Sequence, residues 1–171
     1  IYSNTTKFLN FKRLKDEGKI MGMSSNGKKI YLEYFKSLLV FNNGRFFSKF
    51  GPQKRNLLQK LKNYFSFFIY GKCYDTIQVN HMKKYFINKN YHKEDIAASL
   101  QESCNFTINK FLNYLSKKYR FCNENLLVSG GFFSNVLINQ SIKKRSDIKN
   151  IYVTPNMGDG GLVLGGIFLS S

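Results

Sequence analysis

Two glycine-rich loops stand out as places where this sequence can do chemistry. The first is Gly130-Gly131, which follows the short apolar run Asn125-Leu126-Leu127-Val128-Ser129. Two residues without Cβ let a ligand lie flat against the backbone, and the free N–H groups of a following helix can point at it. That suits the ribose or phosphate of a nucleotide; a plain tight turn uses the same residues. The second is Gly158-Asp159-Gly160-Gly161, where one carboxylate stands among glycines. Asp159 so placed can ligate a hard cation through oxygen or cap the helix that follows. The other chemistry-bearing residues carry less. His81 and His92 lie eleven residues apart without a ligand pattern, Met21-Gly22-Met23 suits a core or loop, and Lys143-Lys144-Arg145 complements a helix end.

The elements that position these loops follow from periodicity. Ile96, Leu100, Cys104, Ile108, Phe111, Leu112, Leu115 and Tyr119 recur every three or four residues, predicting a long helix from His92. Glu94 and Asp95 fall in its first turn and Lys117, Lys118 and Arg120 in its last. A strand over 125–129, a helix over about 134–144, a strand at Ile151-Tyr152-Val153 and an apolar helix from Leu162 to about Leu169 complete an α/β layout with a parallel crossover. In open α/β sheets ligands bind beyond the carboxyl ends of the strands, where both glycine loops fall.

Upstream, residues 1–14 read as a short helix, Gly18 to Gly27 as a glycine-rich stretch, and Lys29 to Leu39 as a second helix. Asn42-Asn43-Gly44 between β-prone runs predicts a hairpin, because both turn residues must take positive φ. A Lys-rich helix is expected to about Ile69, then an irregular segment holding both histidines.

Composition bounds the partners. The 171 residues are 43% hydrophobic and 16% aromatic, enough for a packed core rather than a disordered chain. No apolar run approaches the roughly 20 residues that cross a bilayer, so no membrane role is expected. Cys73, Cys104 and Cys122 share no metal-type spacing, and no leader precedes Ile1; reduced thiols and a cytoplasmic location are the expectation. The net charge of +17 sits mainly in residues 1–92, which hold 18 basic and 4 acidic side chains. Such a field attracts polyanions, yet the excess is 22 Lys against 5 Arg. Specific phosphate and base contacts favour Arg, so compositional drift explains the charge better than nucleic-acid binding does.

Four segments taken in order resemble one family. Glu17-Gly18-Lys19-Ile20-Met21-Gly22-Met23-Ser24-Ser25-Asn26-Gly27 resembles the E-x-K-(V/L)-M-G-L-(A/S)-x-x-G signature of the carbamoyltransferases that include nodulation-factor and antibiotic O-carbamoyltransferases. Asp95 to Gln101 is similar to the start of that family's long helix. Ser129 to Asn139 resembles its (A/S)-G-G-(V/F)-x-x-N-x-x-x-N motif, and Ile151 to Gly165 its (I/V)-x-V-x-P-x-x-G-D-x-G block.

The resemblance implies the second, ribonuclease-H-like lobe of a sugar kinase–actin superfamily domain, present as a partial domain over 1–171 with a poorly matched Lys-rich insertion at 51–92. It also implies carbamoyl transfer from carbamoyl phosphate, through a carbamoyl-adenylate made with ATP, to a hydroxyl of a sugar or secondary metabolite. By the same resemblance Gly130, Gly131 and Asn135 belong to the adenylate loop, Gly158 and Gly160 border it, and Asp159 ligates a divalent metal, Fe or Mg. Lys19 and Gly22 lie in a motif near the nucleotide cleft. No catalytic residue is implied. The family's H-x-x-x-H pair does not occur in this sequence, and neither does a match to its adenylate-forming domain. On this reading the first lobe and that domain come from elsewhere, for example another chain, and the isolated chain is inert. The related threonylcarbamoyl-transferring tRNA-modification proteins and a basic nucleic-acid-binding module are the alternatives.

Overall fold

In the computed structural model, residues 1–49, 76–122 and 124–157 are described. They fall into two compact units, Ile1–Ser103 and Cys104–Ser171, within which the following contacts lie.

The first unit is built from helices α1 (Tyr2–Phe8), α2 (Glu17–Met23), α3 (Leu32–Leu38) and α4 (Thr76–Phe86), with a hairpin of β1 (Leu39–Asn42) and β2 (Arg45–Ser48). The helix expected over 1–14 stops at Phe8. Beyond it Asn10 and Leu14 take left-handed conformations, with φ of 66° and 59°. Side chains satisfy the loop's backbone in place of helical bonds: Lys12 N donates to Asp16 Oδ2 (2.9 Å) and Leu14 N to Glu17 Oε1 (2.7 Å). The glycine-rich stretch is helical through Met23 despite Gly18 and Gly22, then tightens into a 3₁₀ turn at Ser24–Asn26.

The hairpin forms as its Asn-Gly turn predicts, with Asn43 at φ 46° and Gly44 at φ 78°, and pairs Leu39 with Ser48 through to Asn42 with Arg45. The expected Lys-rich helix lies outside the described residues. His81, expected in an irregular segment, is instead inside α4. That helix packs on α1 by burying Val79, Met82 and Phe86. An aromatic cluster surrounds Phe86: Phe8 at 5.3 Å, Tyr31 edge-on at 5.0 Å and Tyr34 edge-on at 5.5 Å.

His81 is held by this cluster. Its Nδ1 lies 3.0 Å from the Tyr34 hydroxyl and its Nε2 3.5 Å from Lys49 Nζ. Burial, with Lys49 and Lys84 nearby, holds the imidazole below its ordinary value of 6.5. Because the folded value is depressed, this contribution to stability is complete above the unfolded value and is lost as pH falls through the folded one. Wild-type stability is therefore expected to fall more steeply than that of His81→Gln between about pH 6.5 and about pH 5. Urea melts at the two pH values measure it; parallel slopes for the two proteins would contradict it.

Helix α5 (Lys93–Tyr119) is the expected long helix. His92 precedes it and accepts the Ile96 N–H at its carbonyl (3.4 Å). Arg120, expected in the last turn, lies just past the end at φ 53°. The second unit continues with β3 (Glu124–Val128), a 3₁₀ turn (Gly131–Ser134), α6 (Val136–Lys143) and β4 (Ile148–Val153). β3 and β4 pair in parallel, Leu126 with Ile151 through Val128 with Val153, so α6 is the crossover between them. Ile138 and Ile142 are fully buried, and Val128 and Ile148 nearly so. Arg145 follows α6, where its Nε donates to Asp147 Oδ1 (2.8 Å) and its Nη1 to Asn109 Oδ1 (3.1 Å). The Arg145 guanidinium accordingly holds the Asp147 carboxyl below the usual carboxylate range. The helix expected over 162–169 lies outside the described residues.

Candidate functional site

The parallel pairing puts the ends of β3 and β4 at one edge of the sheet. Thr154 N donates to Val128 O (3.1 Å), carrying the ladder one step past the strands. The chain leaves β3 through Ser129 into Gly130, whose φ of 98° is a conformation that an L side chain rarely adopts. Among the described residues nothing lies within 4 Å of a Cβ added at Gly130 or Gly131, so against those residues both glycines border open space. Gly130 has a backbone reason to be glycine and Gly131 has no packing reason.

The loop is rigid by its hydrogen bonds. Phe133 N donates to Gly130 O (3.0 Å), and Asn139 Nδ2 reaches back from α6 to Phe133 O (2.8 Å). Asn135 caps α6: its Oδ1 accepts from Leu137 N (3.1 Å) and Ile138 N (3.2 Å). This corrects one expectation. Two of the N–H groups at the start of α6, anticipated as free to face a ligand, are taken by the helix's own cap.

Two polar atoms beside the loop are left over. Among the described residues, Asn139 Oδ1 and Thr154 Oγ1 are buried with no hydrogen-bond partner. Buried polar groups are almost always satisfied, by protein, water or ligand. Among the described residues, the open surface over the two glycines fits a flat ligand such as a nucleoside.

The predicted site residues divide between the units. Gly130, Gly131 and Asn135 share this one loop. Lys19 and Gly22 are in α2 of the first unit; Lys19 Nζ pairs with Asp16 (3.0 Å), and a Cβ at Gly22 meets nothing within 4 Å. Gly158, Asp159 and Gly160 lie outside the described residues. Among the described residues no group of three His, Cys, Asp or Glu side chains is arranged to hold a metal ion. His81 and His92 are placed by packing and by a helix start. Cys104 is buried, which pushes its thiol up to about 12, while Cys122 is exposed; both are free. Cys73 lies outside the described residues.

A junction that sequence reasoning left unconnected joins two of the motif segments. Gly27 passes so close to the start of α5 that an added Cβ would overlap the Glu94 carbonyl and lie 2.7 Å from Asp95 N. The next residues dock along the helix: Lys28 N donates to Asp95 Oδ1 (2.7 Å), Tyr31 N to Ser99 Oγ (3.0 Å), and Lys29 pairs with Glu102 (2.9 Å). Asp95, expected to complement the helix dipole, is thus also the acceptor that fastens the Gly27 segment. Ser99 and Gln101, on the same turns, are buried, and Gln101 Oε1 accepts from the Tyr2 hydroxyl (3.1 Å).

Within the first unit the segment ending at Gly27 is thus docked on the one starting at Asp95, and within the second the strands that lead into 129–139 and 154 are paired. The sequence model of a family described as the carbamoyltransferase N-terminus matches residues 1–167. The chain belongs to the carbamoyltransferase family. It is similar to two uncharacterized proteins of Methanocaldococcus jannaschii. Protein MJ1058 is 25% identical over 171 residues, which are 100% of this chain and 25% of the relative. Protein MJ1051 is 29% identical over 169 residues, 96% of this chain and 28% of the relative. The chain thus spans about a quarter of the length of these relatives. As in the sequence reading, no helix among the described residues is long and apolar enough to cross a membrane.

Proposed function

We propose that this chain is part of an O-carbamoyltransferase, in which the Gly130–Gly131 loop takes the nucleotide of a carbamoyl-adenylate. The open, rigid glycine loop at the carboxyl edge of a parallel β3–β4 pair carries the reading. Family membership supports it. The carbamoyl donor is carbamoyl phosphate, activated with ATP, and the acceptor is a hydroxyl of a sugar or secondary metabolite.

In the transfer the acceptor oxygen attacks the carbamoyl carbon and a new C–O bond forms. The bond from that carbon to the adenylate oxygen breaks, AMP departs with the electron pair, and the hydroxyl proton is released. The residues described here bind and orient. Gly130 and Gly131 leave room for the nucleotide, and the Asn135 cap fixes the loop. Stabilising charge on a departing phosphate is the largest demand of such a step. The loop has no cationic side chain of its own, so that charge is met by groups outside it. Lys19 and Gly22 are proposed to line the nucleotide cleft on the strength of their motif. Asp159 is proposed as a metal ligand on the same ground. Among the described residues no donor set is arranged to join it. The remaining lobe and the adenylate-forming domain belong to other parts of the protein or to a partner, and the sugar kinase–actin type of lobe remains part of this proposal.

The test uses the full-length protein with labelled carbamoyl phosphate, ATP and a panel of hydroxyl acceptors. Label is expected in an O-carbamoyl product, with AMP formed in step, and the 171-residue chain alone is expected to give none. Carbamoyl phosphate and ATP turned over with no label in any acceptor would contradict it.

A further inference from the structure

The turn that follows Gly131 carries an aromatic side chain that is half exposed. Phe132 is 45% exposed, although it stands on a turn fixed by hydrogen bonds at Phe133 N, Asn135 N and Asn139 Nδ2. Phe133 meets its ring edge-on, at 5.4 Å and 85°, so one ring buttresses the other. Val136, at the start of α6, is 59% exposed. A rigid loop thus presents apolar surface beside two glycines that border open space.

The same stretch offers no cationic side chain to a phosphate. Residues 125–142 contain no charged side chain, and the N–H groups of Leu137 and Ile138 are occupied by Asn135. Anion recognition by a helix start needs those N–H groups free. An uncharged, flat, partly apolar group suits this surface far better than a phosphate does. Bases stack on exposed aromatic rings because every base has a π-face.

We propose that Phe132 is the stacking platform for the nucleobase of the adenylate, so that this loop reads the base while the phosphates are held elsewhere. This inference rests on the reading of the Gly130–Gly131 loop as the nucleotide site. It makes Phe132 a specificity-determining residue: ligands with a planar base gain affinity here, and the same sugar phosphate without a base does not.

The experiment is calorimetric titration of the chain with AMP and with ribose 5-phosphate, for wild type, Phe132→Ala, Phe132→Tyr and Gly131→Val. Loss of a stacking contact is expected to weaken AMP binding roughly tenfold in Phe132→Ala. Phe132→Tyr keeps wild-type affinity, and neither change alters the response to ribose 5-phosphate. Because Phe132 is exposed, circular dichroism of the variants is expected to match wild type. If AMP binding is weakened by Gly131→Val but is untouched by Phe132→Ala, the stacking proposal falls and the nucleotide site stands. Equal loss of both ligands in Phe132→Ala also overturns the stacking role. If wild type binds no AMP, the nucleotide site falls and the stacking proposal with it.

Discussion

Gly27→Ala is expected to destabilise the first unit by about 3 kcal/mol, the cost of forcing a methyl group into a packed site. The added Cβ would overlap the Glu94 carbonyl, and neither wall can yield cheaply because both are backbone. Relief requires the 27–31 segment to lift from α5. That movement breaks the bonds from Lys28 N to Asp95 and from Tyr31 N to Ser99 and leaves the Asp95 carboxylate, which is nearly buried, without its donor. Gly18→Ala and Gly22→Ala are the controls. Both sites lie in α2 with open space around them, and alanine favours a helix over glycine by about 1 kcal/mol. Urea unfolding followed by circular dichroism should place Gly27→Ala far below wild type and the two controls at or above it. A Gly27→Ala protein as stable as wild type would mean that the segment does not pack as described.

Gly131→Val is expected to act in the opposite manner, leaving the fold intact while weakening AMP binding by a hundredfold or more. Gly131 has no positive φ to protect and, among the described residues, no neighbour within 4 Å of an added Cβ, so the free protein is expected to tolerate the side chain. The same three carbon atoms occupy the space in which a flat ligand would lie. Overlap of a whole side chain with a ligand costs several kcal/mol, and each 1.4 kcal/mol is tenfold in affinity. Gly130 is less suited to the test, because at φ 98° any side chain strains the turn whether or not a ligand is present. Unchanged urea melts with unchanged AMP affinity would remove Gly131 from the site.

The parts of this fold that could be read from sequence are those whose causes are local. The 3.6-residue spacing from Ile96 to Tyr119 specifies α5, and Asn43-Gly44 specifies the hairpin by the φ angles it allows. The apolar run ending at Gly130 specifies β3. Non-local causes stayed hidden. Nothing near Gly27 in the sequence shows that it must pass Glu94, which lies 67 residues on. The placement of α4 depends on Val79, Met82 and Phe86 finding α1 and the aromatic cluster, while its outward positions, Asn80, Lys83 and Lys84, blur the helical pattern. The end of α1 at Phe8 is set by the Asp16 and Glu17 carboxylates turning back to the chain, which a reading of apolar spacing does not include. At the site, the glycine pair was legible from its position after a strand. The Asn135 cap had a local signal, an Asn just before the helix. The orphaned oxygens of Asn139 and Thr154 arise only when α6 and β4 are brought to one edge of the sheet.

The occupancy of the glycine loop is tested most directly by the amide resonances of Gly130 and Gly131 in ¹⁵N-labelled protein titrated with AMP. Both are expected to move in a saturable way, together with the Asn139 side-chain amide. Saturable AMP binding that shifts resonances elsewhere and leaves these three in place would contradict a nucleotide site at this loop.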